Sequence, residues 1–339
     1  MRFAHPTRLV AAALVVVAVS IRPAAAQPEV RLGGLAYLDA YYRLASPDSA
    51  RVDLHGFTYR RLYLTTDVGF SDAFSARARL EAGDGTLGPR GAVPFVKDLY
   101  LRWQAPGEHR LTLGITPPPA FDVTEDAWGY RSLERTVMDL SGVVSSRDLG
   151  LRADGPIPIG PDGLLRYGLM VGNNEGVFPE DDRHKRGYAQ LQVRPAAPAV
   201  FALGGTLAAF PDDRETDRAL HALAAYVADA WRAGVEGYVR ALGFEGTEEE
   251  LTGAGVSIFA VAEVADGVEL VGRFDRVRRE AFADDAEGAV ETGYGSLALL
   301  GVSYAPIEYV RLTPNLRWAR TDGAEDADVL ARFTVDFSF

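Results

Sequence analysis

The chain has 339 residues, 47% of them hydrophobic, no cysteine and a formal net charge of −12. The missing cysteines exclude a disulfide-stapled scaffold, a thiolate metal site and a thiol nucleophile. The acidic balance argues against a nucleic-acid partner, because that binding rests on neutralising phosphates.

Arg2 and Arg8, an apolar run from Leu9 to Val19, and Ala24-Ala25-Ala26 before Gln27 have the three-part layout of a secretory signal. Residues 1–26 are therefore expected to be a cleaved leader, and residues 27–339 the exported domain. The apolar run is shorter than the roughly 20 residues of a spanning helix. No later stretch is long and apolar enough to span, which leaves a soluble protein or a β-barrel.

Downstream, about sixteen short segments alternate apolar and polar residues between clusters of Gly, Pro, Asp and Asn. Their expected starts are Val30, His55, Ala73, Val93, Glu108, Arg147, Gly163, His184, Ala199, Asp217, Trp231, Glu250, Gly267, Val290, Ile307 and Asp328. In the third segment Phe74, Ala76, Ala78 and Leu80 oppose Ser75, Arg77, Arg79 and Glu81. In the fifteenth, Val310, Leu312, Leu316 and Trp318 oppose Arg311, Thr313, Asn315 and Arg317. The last sets Phe333, Val335, Phe337 and Phe339 against Arg332, Thr334, Asp336 and Ser338.

Alternation alone does not separate a sandwich from a membrane barrel, but the connections do. Ser71-Asp72, Ala105-Pro106-Gly107 and Asp229-Ala230 are tight turns, whereas the intervening links are longer and several are acidic, as in Glu180-Asp181-Asp182 and Asp284-Asp285. A closed antiparallel transmembrane barrel of about sixteen strands predicts this long-short rhythm. The longest link, about 30 residues from Pro117 to Ser146, is the third long one, and a link of that length needs a purpose. Residues 117–147 are expected to fold inward as a constriction, with Phe121, Trp128 and Tyr130 wedged against the inner wall.

Catalytic and metal signals are weak. His5, His55, His109, His184 and His221 have no metal spacing, and neither G-x-S-x-G nor G-x-x-x-x-G-K occurs. Gly293, Gly295 and Ala298 fit a degenerate dinucleotide fingerprint but lie in a strand-like run, so no cofactor and no enzymatic activity are expected. Acidic outer links are a candidate for divalent cations shared with lipopolysaccharide, against the simpler reading of solvated charge.

The remaining candidates are arginines. Arg77, Arg79, Arg152, Arg311, Arg317 and Arg332 lie on the polar strand faces, and Arg131, Arg135 and Arg147 in or beside the long link. Their forked donors suit carboxylate and phosphate oxygens. The alternative is mutual pairing with nearby acids such as Asp139, Glu134 and Asp148.

The wording then resembles a known group. Arg60-Arg61-Leu62-Tyr63-Leu64, Phe74 to Ala82, Lys97-Asp98-Leu99-Tyr100-Leu101, Gly114 with Pro117, Leu133-Glu134-Arg135 and Ser145-Ser146-Arg147-Asp148-Leu149-Gly150 are similar to the phosphate-selective porin O and P family, mainly over residues 55–195. The resemblance implies a trimer of sixteen-strand outer-membrane barrels with cationic side chains in an anion-selective channel. The family also uses clustered lysines, whereas Lys97 and Lys185 are the only two lysines here.

Together these readings predict passive diffusion of small anions or other hydrophilic solutes through the outer membrane, in contact with its lipid and lipopolysaccharide. The expected pore-facing cations are Arg131, Arg135 and Arg147, with Asp139 as counter-charge. A plugged barrel acting as an anchor or adhesin, or an outer-membrane enzyme, is the alternative.

Overall fold

The computed structural model describes residues 27–160, 163–181, 183–195, 198–209, 216–243, 250–282 and 290–339. The expected leader 1–26, Asp182 and the pair Asp284-Asp285 lie outside them.

Sixteen antiparallel strands close into one barrel. They are β1 (Glu29–Ala45), β2 (His55–Gly69), β3 (Phe74–Ala82), β4 (Phe95–Gln104), β5 (Arg110–Thr116), β6 (Asp148–Ile157), β7 (Leu165–Gly172), β8 (Lys185–Val193), β9 (Ala199–Ala209), β10 (Thr216–Val227), β11 (Trp231–Gly243), β12 (Glu250–Ala265), β13 (Val268–Phe282), β14 (Val290–Ile307), β15 (Val310–Thr321) and β16 (Asp328–Ser338). Each strand pairs with its sequence neighbour, and β1 closes the ring on β16 from Leu35↔Ser338 to Ala45↔Val329. At the seam Gly34 and Phe339 exchange backbone hydrogen bonds of 2.7 and 3.1 Å. Closure leaves no edge of unpaired amides, the condition for strands to sit in lipid.

The two faces follow the alternation. Asp39, Thr334 and Asp336 are buried on the inner face, while Leu38 and Phe333 stand exposed on the outer one and Phe57 is 90% exposed. So many apolar groups facing outward would be a liability in water. Near the short turns the outer face carries aromatic rings, including Phe70, Tyr309, Phe339 and the stacked pair Tyr226–Trp231 at 4.4 Å. That is a girdle of the kind found where a barrel meets the membrane surface.

Every expected strand start falls within three residues of the observed one, and His55, Ala199, Trp231, Glu250, Val290 and Asp328 coincide. Ile307, expected to open the fifteenth strand, instead ends β14, and β15 begins at Val310. Pro306 sits within β14 where the β14–β15 register shifts between Tyr304 and Ile307, a place that tolerates a missing amide.

The wall is uneven. Strands β3–β8 have 7 to 10 residues, whereas β12, β13 and β14 have 16, 15 and 18. Crossing takes about 9–11 residues, so the tall strands project past the apolar band at the long-link end. In the low wall Gly114, Gly150 and Gly172 lie side by side across β5–β7. Gly114 has φ +130°, and a Cβ there would strike the Leu99 carbonyl oxygen, as one on Gly150 would strike that of Val171. Only glycine allows these backbones so close. The row lies beside the roots of the 117–147 segment.

Candidate functional site

Residues 117–147 form the long connection between β5 and β6. Pro117-Pro118-Pro119 stiffens its entry. Helix α1 (Asp122–Trp128) ends at Gly129, which takes φ 71° and donates its N–H to Glu125 O at 2.8 Å. Helix α2 (Val137–Leu140) is capped by the Thr136 hydroxyl, which accepts from the Asp139 N–H at 3.4 Å.

One apolar face of the segment packs on strand side chains. Val123, Ala127, Trp128, Tyr130 and Leu133 cluster with Val200 and Ala202 of β9, Leu223 and Ala225 of β10, Phe259 and Val261 of β12, Val271 of β13 and Leu297 and Leu299 of β14. Trp128 meets Phe259 edge-on at 5.5 Å. Phe121, Val137, Met138 and Val143 form a second cluster with Met170, Tyr188, Ala219 and Tyr238. All three rings singled out in the sequence, Phe121, Trp128 and Tyr130, are at most 2% exposed.

Arginines hold the opposite edge by its carbonyl groups. Arg152 (β6) donates to Pro117 O at 2.8 Å, Arg311 (β15) to Gly129 O at 3.1 Å, Arg332 (β16) to Leu133 O at 3.1 Å and Arg273 (β13) to Arg135 O at 2.6 Å. Arg240 (β11) reaches Gly142 O at 3.4 Å, and Arg60 (β2) donates to Ser132 O. Arg317 and Arg152 add carboxylate contacts, at 2.8 Å to Glu134 and 2.8 Å to Asp122. Four of the nominated wall arginines, Arg152, Arg311, Arg317 and Arg332, thus spend donors on the segment itself. Arg60, Arg240 and Arg273, which do the same, were not singled out in the sequence, although Arg60 belongs to the family-like wording.

The other nominated residues are paired otherwise. Arg77 forks onto Asp67 at 2.7 and 3.0 Å, and Arg79 lies 3.3 Å from Asp98 and 4.8 Å over the Tyr63 ring. Arg147 pairs with Asp98, which is 2% exposed, rather than with its neighbour Asp148. Asp148 accepts from Tyr188 at 2.8 Å and from the Asn174 N–H. Arg131 bridges Glu125 at 2.6 Å and Asp139 at 2.9 Å, and Arg135 lies 3.4 Å from Asp139. Arg135 is the open one of the three segment cations, 44% exposed against 15% and 13% for Arg131 and Arg147.

Burial and the nearby Asp139 charge push Glu125 up to about 7, against the pull of Arg147 and Arg61. Burial likewise raises Tyr130 to about 12, leaving its hydroxyl a donor to Glu269. Burial favours the neutral form of Glu134, but Arg317, with Arg332 and Arg273 behind it, holds that carboxyl below the usual range.

Space remains at both ends of the segment. A cavity of about 430 Å³ lies at the long-link end, lined by Leu140, Ser141, Asp275, Arg279 and Arg317. Another of about 810 Å³ lies at the short-turn end, lined by Val123, Asp126, Ala127, Arg194 and Val200. Among the described residues Arg102, Arg194 and Arg332 form no ion pair, and Arg102 donates only to Thr112 at 3.2 Å and Tyr100 at 3.4 Å. Among the described residues no group of three or more His, Asp or Glu is arranged to hold a metal.

No protein-family model and no curated protein matches the chain. Solved structures do match in fold. An anion-selective porin from Comamonas acidovorans superimposes with a TM-score of 0.68 at 13% identity, over 92% of this chain and 100% of that one. The outer membrane channel DcaP of Acinetobacter baumannii gives 0.66 at 12% identity, over 92% and 97%. The outer-membrane protein OmpT of Vibrio cholerae gives 0.64 at 13% identity, over 92% and 97%. At these identities the likeness is one of fold: the barrel is of the porin type.

Proposed function

We propose that the chain is an outer-membrane porin, an open barrel for passive diffusion of small hydrophilic solutes with a preference for anions, and not an enzyme. The observation that carries this reading is the inner face of a closed sixteen-strand barrel, polar and rich in arginine, with cavities at both ends of the 117–147 segment. A barrel of that size leaves an aqueous lumen. Short turns then face the periplasm and long links the exterior.

The 117–147 segment is the constriction, docked inside the barrel on the β9–β14 wall. The contacts to β2, β6, β11, β13, β15 and β16 support this, since strands around most of the ring reach one segment. The open passage runs between the acidic edge of α1 and the β2–β5 wall, where Arg61, Arg77, Arg79 and Arg102 make no hydrogen bond to the segment. Arg61, Arg77 and Arg79 are paired with Glu81, Asp67 and Asp98, whereas Arg102 has no ion pair among the described residues. In a narrow, low-dielectric passage an uncompensated guanidinium counts for more than the acidic outer links, so net charge misleads about selectivity. A neighbour described as anion-selective agrees with this preference. Phosphate specificity rests on the local family-like wording alone, and a homotrimer on the same resemblance and on a neighbour solved as a trimer.

Purified, heat-resistant barrels should give stepwise ionic current in planar bilayers. An anchor or an enzyme with a plugged lumen would give none. Selectivity should also depend on pH through Glu125. It is charged above about pH 7 and neutral below, so lowering the pH from 8 to 6 removes one negative charge from the passage and shifts the zero-current potential toward anions. Glu125→Gln should abolish this step. A step of the same size in that variant assigns the titration to another group.

A further inference from the structure

The outward face carries a concave apolar surface that the passage does not use. Gly187 and Ala189 on β8 and Gly205 on β9 project almost nothing from the wall, while Leu169 and Val171 on one side and Leu220 and Val239 on the other stand out. Between them runs a groove of about 1230 Å³. Its far end is polar, formed by Arg218, Thr252 and Arg278.

Both arginines converge on the outer face of β12. Arg218 of β10 holds Glu250 through one nitrogen, Nη2, 2.8 Å from each carboxylate oxygen, and its side chain is 57% exposed. Arg278 of β13 donates Nη1 to Thr252 at 3.3 Å and pairs with Glu280. Glu250 and Thr252 are two residues apart on one face, about 7 Å, so the guanidiniums flank one headgroup-sized space. The remaining donors, Nε and Nη1 of Arg218 and Nε of Arg278, make no hydrogen bond among the described residues. Outward charge is costly in hydrocarbon but not at the headgroups. Arg218 lies among the first residues of β10, at the long-link end, and Arg278 near the long-link end of the projecting β13.

We propose that this groove holds an acyl chain of an anionic, phosphate-bearing lipid of the outer leaflet, with the phosphate between Arg218 and Arg278. The proposal rests on reading the chain as an outer-membrane barrel. The glycine and alanine floor accepts the chain, and the two guanidiniums select the headgroup, each tempered by its own carboxylate, Glu250 or Glu280.

Native mass spectrometry of the delipidated full chain in detergent tests it, with dimyristoyl phosphatidylglycerol and dimyristoyl phosphatidylcholine as probes. Wild type should retain the first phosphatidylglycerol about tenfold more tightly, as expected for two partly exposed guanidiniums at a membrane surface. Arg218→Gln with Arg278→Gln should bring the two lipids level. Ala189→Leu, or Ala254→Leu if the first does not fold, should weaken both. Equal retention by wild type, a preference untouched by the double variant, or chains associating through this face without lipid would overturn the proposal. A chain that gives no heat-resistant barrel defeats the barrel reading itself, whereas a heat-resistant barrel with no headgroup preference defeats only the lipid site.

Discussion

Replacing Trp128 by alanine should release the 117–147 segment from its seat while the barrel itself stays heat-resistant. The ring is 1% exposed, packs on Phe259, carries the Arg273 guanidinium 5.3 Å over its face and donates Nε1 to Glu134 O at 2.9 Å. Truncating a buried ring of this size costs about 3–5 kcal/mol. That loss falls on the segment, because the sheet's own hydrogen bonds do not depend on it. The expected readout is a rise in single-channel conductance with larger current noise, and faster protease cleavage within residues 117–147. Unchanged conductance would place the passage away from the segment.

Removing Arg273 should cost as much by a different route. Arg273 and Asp275 are two residues apart on the inner face of β13, with side chains 1% and 2% exposed, and meet through two hydrogen bonds of 2.8 and 2.6 Å. Arg273→Met strands a buried carboxylate and removes the donor to Arg135 O, and breaking such a pair from one side costs about 3–5 kcal/mol. The double variant Arg273→Met/Asp275→Leu removes the stranded charge and should recover much of the loss. Thermal or urea unfolding of the detergent-solubilised barrel measures both. A double variant as unstable as the single one would show that the donor to the segment, not the ion pair, is what matters.

The barrel was legible because the period of two and the alternation of tight turns with longer links report one architecture, and each acts locally. Arg152, Arg311, Arg317 and Arg332 were legible as members of the polar strand faces for the same reason. Their partners were not, because a carbonyl at Gly129 or Leu133 is invisible to residue type and lies 182 or 199 positions away. The seat of the segment did leave a signal. On β9 and β10 both faces are apolar, Val200 and Ala202 against Phe201 and Leu203, and Leu223 and Ala225 against Ala222 and Ala224. Strands buried on both faces lose their alternation, so a wall that is apolar inside as well as outside marks where something docks. Arg147 shows the opposite failure: Asp148 follows it in sequence, but that carboxylate is taken by the Tyr188 hydroxyl and the Asn174 N–H, and the partner of Arg147 is Asp98 on β4, 49 positions away.

The zero-current potential of the purified chain in a planar bilayer under a KCl gradient is the most direct test of an arginine-lined aqueous passage beside a docked segment. Stepwise, ohmic current with a potential of anion-preferring sign is the expected result, reduced by Arg135→Ala and by Arg102→Ala. Heat-resistant barrels that carry no current, or a potential of cation-preferring sign, would contradict it.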